Sequence, residues 1–310
     1  MGALDSELRH ESRTPATSAG HTDTREQPRM RHALLGTASR SLAALLLWTA
    51  PLAAQDATAA PRIDAAALAK QTQNPVADLV SIPFQFNFNS GGGLGDATLY
   101  NLNFQPVIPV KASPRWNVIL RTIVPYLSSP TATGDQQAGL GDIQIQTFLS
   151  PAKPGKVIWG VGPQFSIPTA TNPQFRTGSW AVGPSAVVVA MPGKFVLGGV
   201  ASQVWTFADA GGDPRVNLLL VQPFINYNFG QGWALSVAPI ITANWDAASG
   251  QQWTLPLGGG IVKTTVFNGR PMNVGAQYFY NVVRPDAAPG SQFRLVVALL
   301  YPSKRPPAAQ

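Results

Sequence analysis

Side chains able to do acid–base or metal chemistry are scarce in this sequence. The full chain of 310 residues holds 15 Asp and Glu, 22 Lys and Arg, and three histidines. Five of those acids, six of the arginines and all of His10, His21 and His32 precede Gln55. From Gln55 onward the chain has ten acids, every one an aspartate, 16 bases, and no His, Cys or Glu. A Ser-His-Asp or Cys-His centre needs an imidazole to take the nucleophile's proton. Zinc and copper sites draw on His and Cys. Neither chemistry is available beyond Gln55. Asp96, Asp135, Asp209, Asp213, Asp246 and Asp286 fall in joints between apolar segments. They lack the regular oxygen-ligand spacing of a calcium loop, so they read as turn formers and loop tips. The sequence predicts no catalytic, cofactor-binding or metal-binding residue, and the chain is not expected to be an enzyme.

The excess of six positive charges after Gln55 does not form a basic stripe. Lys111, Arg115, Lys153, Lys156, Lys194 and Arg270 are scattered singly at short joints, unlike a surface that tracks a nucleic-acid backbone. No nucleic-acid partner is expected. The run Gly91-Gly92-Gly93-Leu94-Gly95 lacks the GK[ST] ending of a phosphate loop, and no helical pattern comes after it. It reads as a loop.

The elements that carry these residues are strands. Between Leu79 and Tyr301 the sequence divides into twelve strand-length segments. Five short joints (111–115, 151–155, 191–194, 230–232 and 268–270) interleave with six longer ones (89–97, 127–139, 169–178, 208–215, 244–252 and 285–290). Short turns at one rim and long loops at the other are the pattern of an outer-membrane barrel. An even strand count puts both ends at one rim. The chain is 45% hydrophobic and 12% charged, roughly half the usual charged fraction. No stretch reaches the roughly 18 apolar residues of a spanning helix. The fold class expected is all-β: a closed antiparallel transmembrane β-barrel of about 12 strands, with short periplasmic turns and long extracellular loops.

The N-terminus carries an address. Met30-Arg31-His32 and Arg40 are positive, 41–50 is apolar, and Leu52-Ala53-Ala54 is a small-residue cleavage site. Those are the parts of a secretory signal peptide. The expected division is an extension or mis-assigned start over 1–29, a signal peptide over 30–54, a periplasmic segment over 55–78, a barrel over 79–301 and a tail over 302–310. Within 55–78, Ile63 to Lys70 has helix-forming composition. It suits a short periplasmic helix, a partial plug or a frayed extension.

Alternation assigns the faces. Ile143, Ile145 and Leu149 oppose Asp142, Gln144 and Gln146, and Phe293, Leu295, Val297 and Leu299 oppose Gln292 and Arg294. Soluble sandwiches alternate too, but segments of about eleven residues with an uncharged apolar face suit lipid. The residues opposite the apolar stripe are the lumen candidates: Arg121, Asp142, Gln144, Gln146, Gln164, Gln222, Asn226 and Arg294. Trp116, Trp180, Trp205, Trp233, Trp245 and Trp253 cluster at strand ends, where interfacial aromatics form girdles. Pro83, Pro109, Pro125, Pro163, Pro184, Pro223, Pro239 and Pro256 sit inside the strands. Each removes a ladder donor from a barrel without edges. Pro109 and Pro125 suit strand ends, and the others suit bulges or a pocket where the wall bends inward.

Several of these segments together resemble a known family. They include Gln73-Asn74-Pro75-Val76-Ala77-Asp78-Leu79, Gln105-Pro106-Val107-Ile108-Pro109, Leu140-Gly141-Asp142-Ile143 and Trp159-Gly160-Val161-Gly162-Pro163. They continue with Gly183-Pro184-Ser185, Gln222-Pro223-Phe224, Trp253-Thr254-Leu255-Pro256 and Tyr280-Asn281-Val282-Val283-Arg284-Pro285-Asp286. In this order they resemble the bacterial outer-membrane family named for the meta-pathway of phenol degradation, whose members are also called transporters or neuromedin U. The resemblance spans roughly 68–304. It implies a barrel passing aromatic or other hydrophobic small molecules, with no catalytic residues. The chain departs from the general barrel pattern at its end, where Tyr301 is followed by nine further residues rather than closing on a terminal aromatic.

The leading expectation is therefore a passive outer-membrane channel for small hydrophobic solutes, its partners being membrane lipid and the solute. A barrel that transports nothing and binds partners through its loops is the alternative, and a secreted soluble sandwich the third reading.

Overall fold

The computed structural model describes residues 65–302 apart from 93–97, 132 and 210–214. The expected signal peptide over 30–54, the 1–29 extension and all but the first residue of the expected 302–310 tail fall outside the described residues. After a helix α1 (Ala65–Thr72) come β1 (Leu79–Ser90), β2 (Leu99–Phe104), β3 (Val107–Lys111), β4 (Trp116–Pro130) and β5 (Gln136–Leu140). Next are β6 (Ile143–Pro151), β7 (Val157–Ile167), β8 (Ser179–Ala190), β9 (Phe195–Asp209) and β10 (Asn217–Gly230). The series ends with β11 (Trp233–Val237), β12 (Ile241–Asn244), β13 (Trp253–Phe267), β14 (Arg270–Val283) and β15 (Ser291–Pro302). β2 and β3 form one interrupted stave, as do β5 with β6 and β11 with β12. Fifteen strands thus make twelve antiparallel staves, and pairing of β1 with β15 closes the barrel. Short and long joints alternate as the sequence suggests, and both ends of the barrel lie at the short-joint rim. No helix among the described residues is long and apolar enough to cross a membrane.

Period-two alternation sets the two faces of the wall. Phe165, Phe207, Ile225, Phe229, Leu235, Leu257, Ile261, Tyr278 and Phe293 are exposed on the outside. A continuous apolar belt of this kind is costly in water and suits hydrocarbon. Inside, the short-joint half holds the apolar packing. Ile119, Phe148, Ile158, Val187, Val189, Val196, Val200 and Phe224 form one buried cluster with Val76 of the N-terminal segment. A second cluster joins Leu68 of α1 to Leu79, Ala298 and Leu300.

The prolines explain the interruptions. Successive N–H groups of a strand point to alternate neighbours, so a proline starves one side only. Pro83 of β1 pairs with Ala298 of β15, and its missing donor points at Gln105, the gap between β2 and β3. Pro125 of β4 pairs with Asn103, and its missing donor points at Gly141, the gap between β5 and β6. In each case one bond survives: Gln105 N–H donates to the Pro83 carbonyl, and Gly141 N–H to the Pro125 carbonyl, both at 2.9 Å. The third gap is wider. Pro223 of β10 pairs with Gly199 of β9, and extending the β10–β11 and β10–β12 registers sets it opposite Pro239. Two prolines face each other there and neither can donate. Pro109 and Pro125 do not end strands as expected from sequence: they lie inside β3 and β4, and at Pro125 the lost donor coincides with the β5–β6 gap rather than with a strand end.

α1 runs on to Thr72, two residues past the Lys70 limit that composition suggested. It lies at the short-joint rim, where Lys70 Nζ donates to the Gly193 carbonyl at 2.5 Å. Gln73 and Asn228 exchange carboxamide hydrogen bonds at 3.0 Å in both directions. The Val76 N–H closes an Asx turn on Asn74 Oδ1 at 3.1 Å.

Candidate lumen site

Above these apolar clusters the inner face turns more polar. On β4 the inward positions run Ile119, Arg121, Ile123, and Arg121 enters the layer of carboxamides. Its Nη1 donates to Gln146 Oε1 at 2.9 Å and its Nη2 to Gln105 Oε1 at 2.8 Å. Gln146 Nε2 donates onward to Gln164 Oε1 at 2.6 Å, and Gln164 Nε2 to Gln144 Oε1 at 3.4 Å. This row crosses β2/β3, β4, β6 and β7.

Arg294 of β15 organises a second group. Its Nε donates to Asn87 Oδ1 at 3.2 Å and its Nη2 to Gln292 Oε1 at 2.7 Å. Nη1 reaches Gln277 Oε1 at 3.4 Å and the carbonyl of Ala238 at 3.0 Å. Ala238 lies in the β11–β12 gap, so the arginine satisfies a carbonyl that the broken ladder leaves over. The Phe279 ring covers its other face at 4.6 Å. Asp142, in the β5–β6 gap, binds the 168–178 loop. Oδ1 accepts from Ala170 N–H at 3.0 Å, and Oδ2 from Thr177 N–H at 2.9 Å and from the Thr177 hydroxyl.

Two cavities adjoin the polar layer. The one toward α1 has a volume of about 240 Å³ and includes Gln73, Asn226 and Gln277 in its lining. The one toward the long loops, of about 330 Å³, includes Asp142, Gln144, Gln146 and Gln164. Gln105, Arg121 and Gln222 line both. Of the eight sequence-derived lumen positions, Asp142, Gln146, Gln164, Asn226 and Arg294 are buried inside the barrel, and Arg121, Gln144 and Gln222 border a cavity. The structure brings Arg121, Gln144, Gln146 and Gln164 into one network and leaves Arg294 in another.

Gln105, Asn87 and Gln277 are partners that sequence reasoning missed. Asn87 was within reach, since Gln85, Asn87 and Asn89 alternate with Phe84, Phe86 and Phe88. Gln105 gave no such signal because it sits in a stave interruption.

Trp116 and Trp233 open β4 and β11 at the short-joint rim, while Trp180, Trp205, Trp245 and Trp253 lie toward the long loops. Trp116 packs edge-on against Trp159 at 6.0 Å, and Trp245 against Trp253 at 5.4 Å. Among the described residues no group of three or more acidic, His or Cys side chains is placed to hold a metal.

No protein-family model matches the chain. No curated protein matches it either. Among solved structures it is similar to an outer membrane channel from Pseudomonas putida F1, at 12% identity over 72% of this chain and 94% of that one, with a TM-score of 0.53. The fold is the same. Weaker likenesses include the NanC porin, at 11% identity, 71% and 98% coverage and TM-score 0.46. Outer membrane phospholipase A from Escherichia coli is another, at 11% identity, 77% and 98% coverage and TM-score 0.42.

Proposed function

We propose that this chain is an outer-membrane channel passing small hydrophobic or aromatic solutes by passive diffusion. The observation that carries the reading is the lumen: two cavities meet at Arg121, Gln105 and Gln222 inside a closed wall with an apolar exterior. The short joints and α1 face the periplasm and the long loops face outward, with the rim tryptophans at the two interfaces. The resemblance of its motifs to the phenol meta-pathway family supports this assignment, as does the signal-peptide pattern over 30–54. Purified protein reconstituted in planar bilayers should give discrete conductance steps, and the protein in an outer-membrane fraction should show heat-modifiable gel mobility. A barrel that inserts but stays silent would overturn the channel reading.

The packed short-joint half favours a second reading, a barrel that transports nothing. Val76 and α1 fill that end together with inward-facing valines and Phe148. Removal of the long loops that abolishes a cellular phenotype without altering flux would support it.

A further inference from the structure

One lumen group has donors to spare. A guanidinium carries five N–H. Arg294 directs four hydrogen bonds at neutral oxygens and stacks on Phe279, which is the arrangement of a brace. Among the described residues Arg121 donates twice, to Gln146 and Gln105, and both acceptors are neutral. A buried cation without a counter-charge is unfavourable for folding, and an uncharged side chain could hold the same carboxamides. In the cavity toward α1, Arg121 is the one ionisable residue of the lining among the described residues. The cavity toward the loops also touches Asp142, but that carboxylate is anchored to the loop by Ala170 and Thr177 and makes no hydrogen bond to Arg121. Arg121 thus keeps unused donors beside the cavity.

The rest of the outer cavity indicates what that is. Arg121 lies on β4, and β10 is five staves away by one route and seven by the other, almost directly across the barrel. That far wall is mostly apolar: Val204, Leu218, Leu220 and Ile240 line it, with Gln222 as its carboxamide. One side of the cavity thus offers a cation among carboxamides and the other a largely hydrocarbon surface. Its volume of about 330 Å³ is at the lower edge of ordinary small-molecule sites, ~300–1,000 Å³.

We propose that Arg121 makes the lumen selective for small organic anions with an apolar body, aromatic carboxylates being the fitting class. The carboxylate docks on the free guanidinium donors as a charge-assisted pair, and the ring lies on Leu218, Leu220 and Ile240. This rests on the channel reading, deepens it and names its solute class. The test uses the full barrel in detergent and in bilayers, with benzoate as probe and benzamide as its neutral counterpart. Benzoate should bind about tenfold or more tightly than benzamide, the worth of one charged hydrogen bond. Arg121→Gln should erase that preference and Arg121→Lys should keep most of it, each checked for folding by heat-modifiable mobility. In a sodium benzoate gradient the wild-type reversal potential should show preference for the anion. Equal binding of the two probes, or a preference that survives in folded Arg121→Gln, would overturn the proposal. A benzoate preference in a barrel that conducts nothing would instead sink the channel reading and leave the site standing.

Discussion

Pro163 stands directly opposite Pro184 across the β7–β8 pair. Both lack an N–H, yet this pair loses nothing, since each missing donor points to the strand on its other side. The cost appears there: the β6–β7 ladder skips Thr147 and Phe148, and the β8–β9 ladder skips Gly183 and Pro184. The glycine before each proline takes up the slack. A methyl built on Gly162 would lie 1.9 Å from the Thr147 carbonyl oxygen, and one on Gly183 1.8 Å from that of Gln203. Those carbonyls rest against bare Cα–H groups, a weak substitute for the lost bond. Gly162→Ala should therefore destabilise the barrel by about 3 kcal/mol or more. Gly155→Ala, whose nearest neighbour would be 3.8 Å away, should stay within ~0.5 kcal/mol. Urea midpoints read from heat-modifiable mobility compare the two.

The β11–β12 gap should be the least protected part of the wall. Pro239 faces Pro223 on one side, and Ile240 falls opposite Pro256 on the other by extension of the β13 registers. Hydrogen exchange should find the amides of Ala238 and Ile240 roughly 100-fold or more faster than those of the continuous β13–β14 ladder, because local opening there breaks almost no bonds. Equal protection would mean that the ladder is intact.

Asp142 should control the 168–178 loop. Asp142→Ala removes three hydrogen bonds to one carboxylate, and a hydrogen bond to a charged group contributes about 1.5–3 kcal/mol net. Arg176, exposed in that loop, should become the first tryptic cleavage site in the variant and resist in the parent. Unchanged cleavage rates would show that the loop is held by other contacts.

The barrel was readable from sequence because its signals repeat. Twelve staves, alternating joints and an apolar face recur along the whole chain, and each repeat reinforces the next. The inward side was less legible. Gln146 and Gln164 stood out as polar residues opposite an apolar stripe, but Phe148, Ile158 and Val189 point inward as well. Alternation separates two faces without saying which is wet when both carry hydrocarbon. Pairs such as Pro223 with Pro239 depend on register, and register is a property of two strands together.

The N-terminal segment should act as a displaceable stopper. Gln73 and Asn228 exchange two hydrogen bonds, so Asn228→Ala should weaken docking by about 1–3 kcal/mol. That shift corresponds to roughly five- to 150-fold in the docked population. Single-channel records should show longer or larger openings for the variant. Identical records would assign the pair to stability alone.

Among the described staves, every neighbouring pair except one is consecutive along the chain. The exception is the seam between β1 and β15, where Asn87 meets Arg294 from 207 residues away. Closing a loop of that length costs about 5 kcal/mol of chain entropy plus a constant, and no bond along the seam forms until it is met. Hairpins elsewhere close over short loops, so closure of the cylinder is expected to come last in assembly. Until then the protein is an open sheet with two raw edges, and whatever escorts it into the membrane has to hold those two strands apart from every other chain.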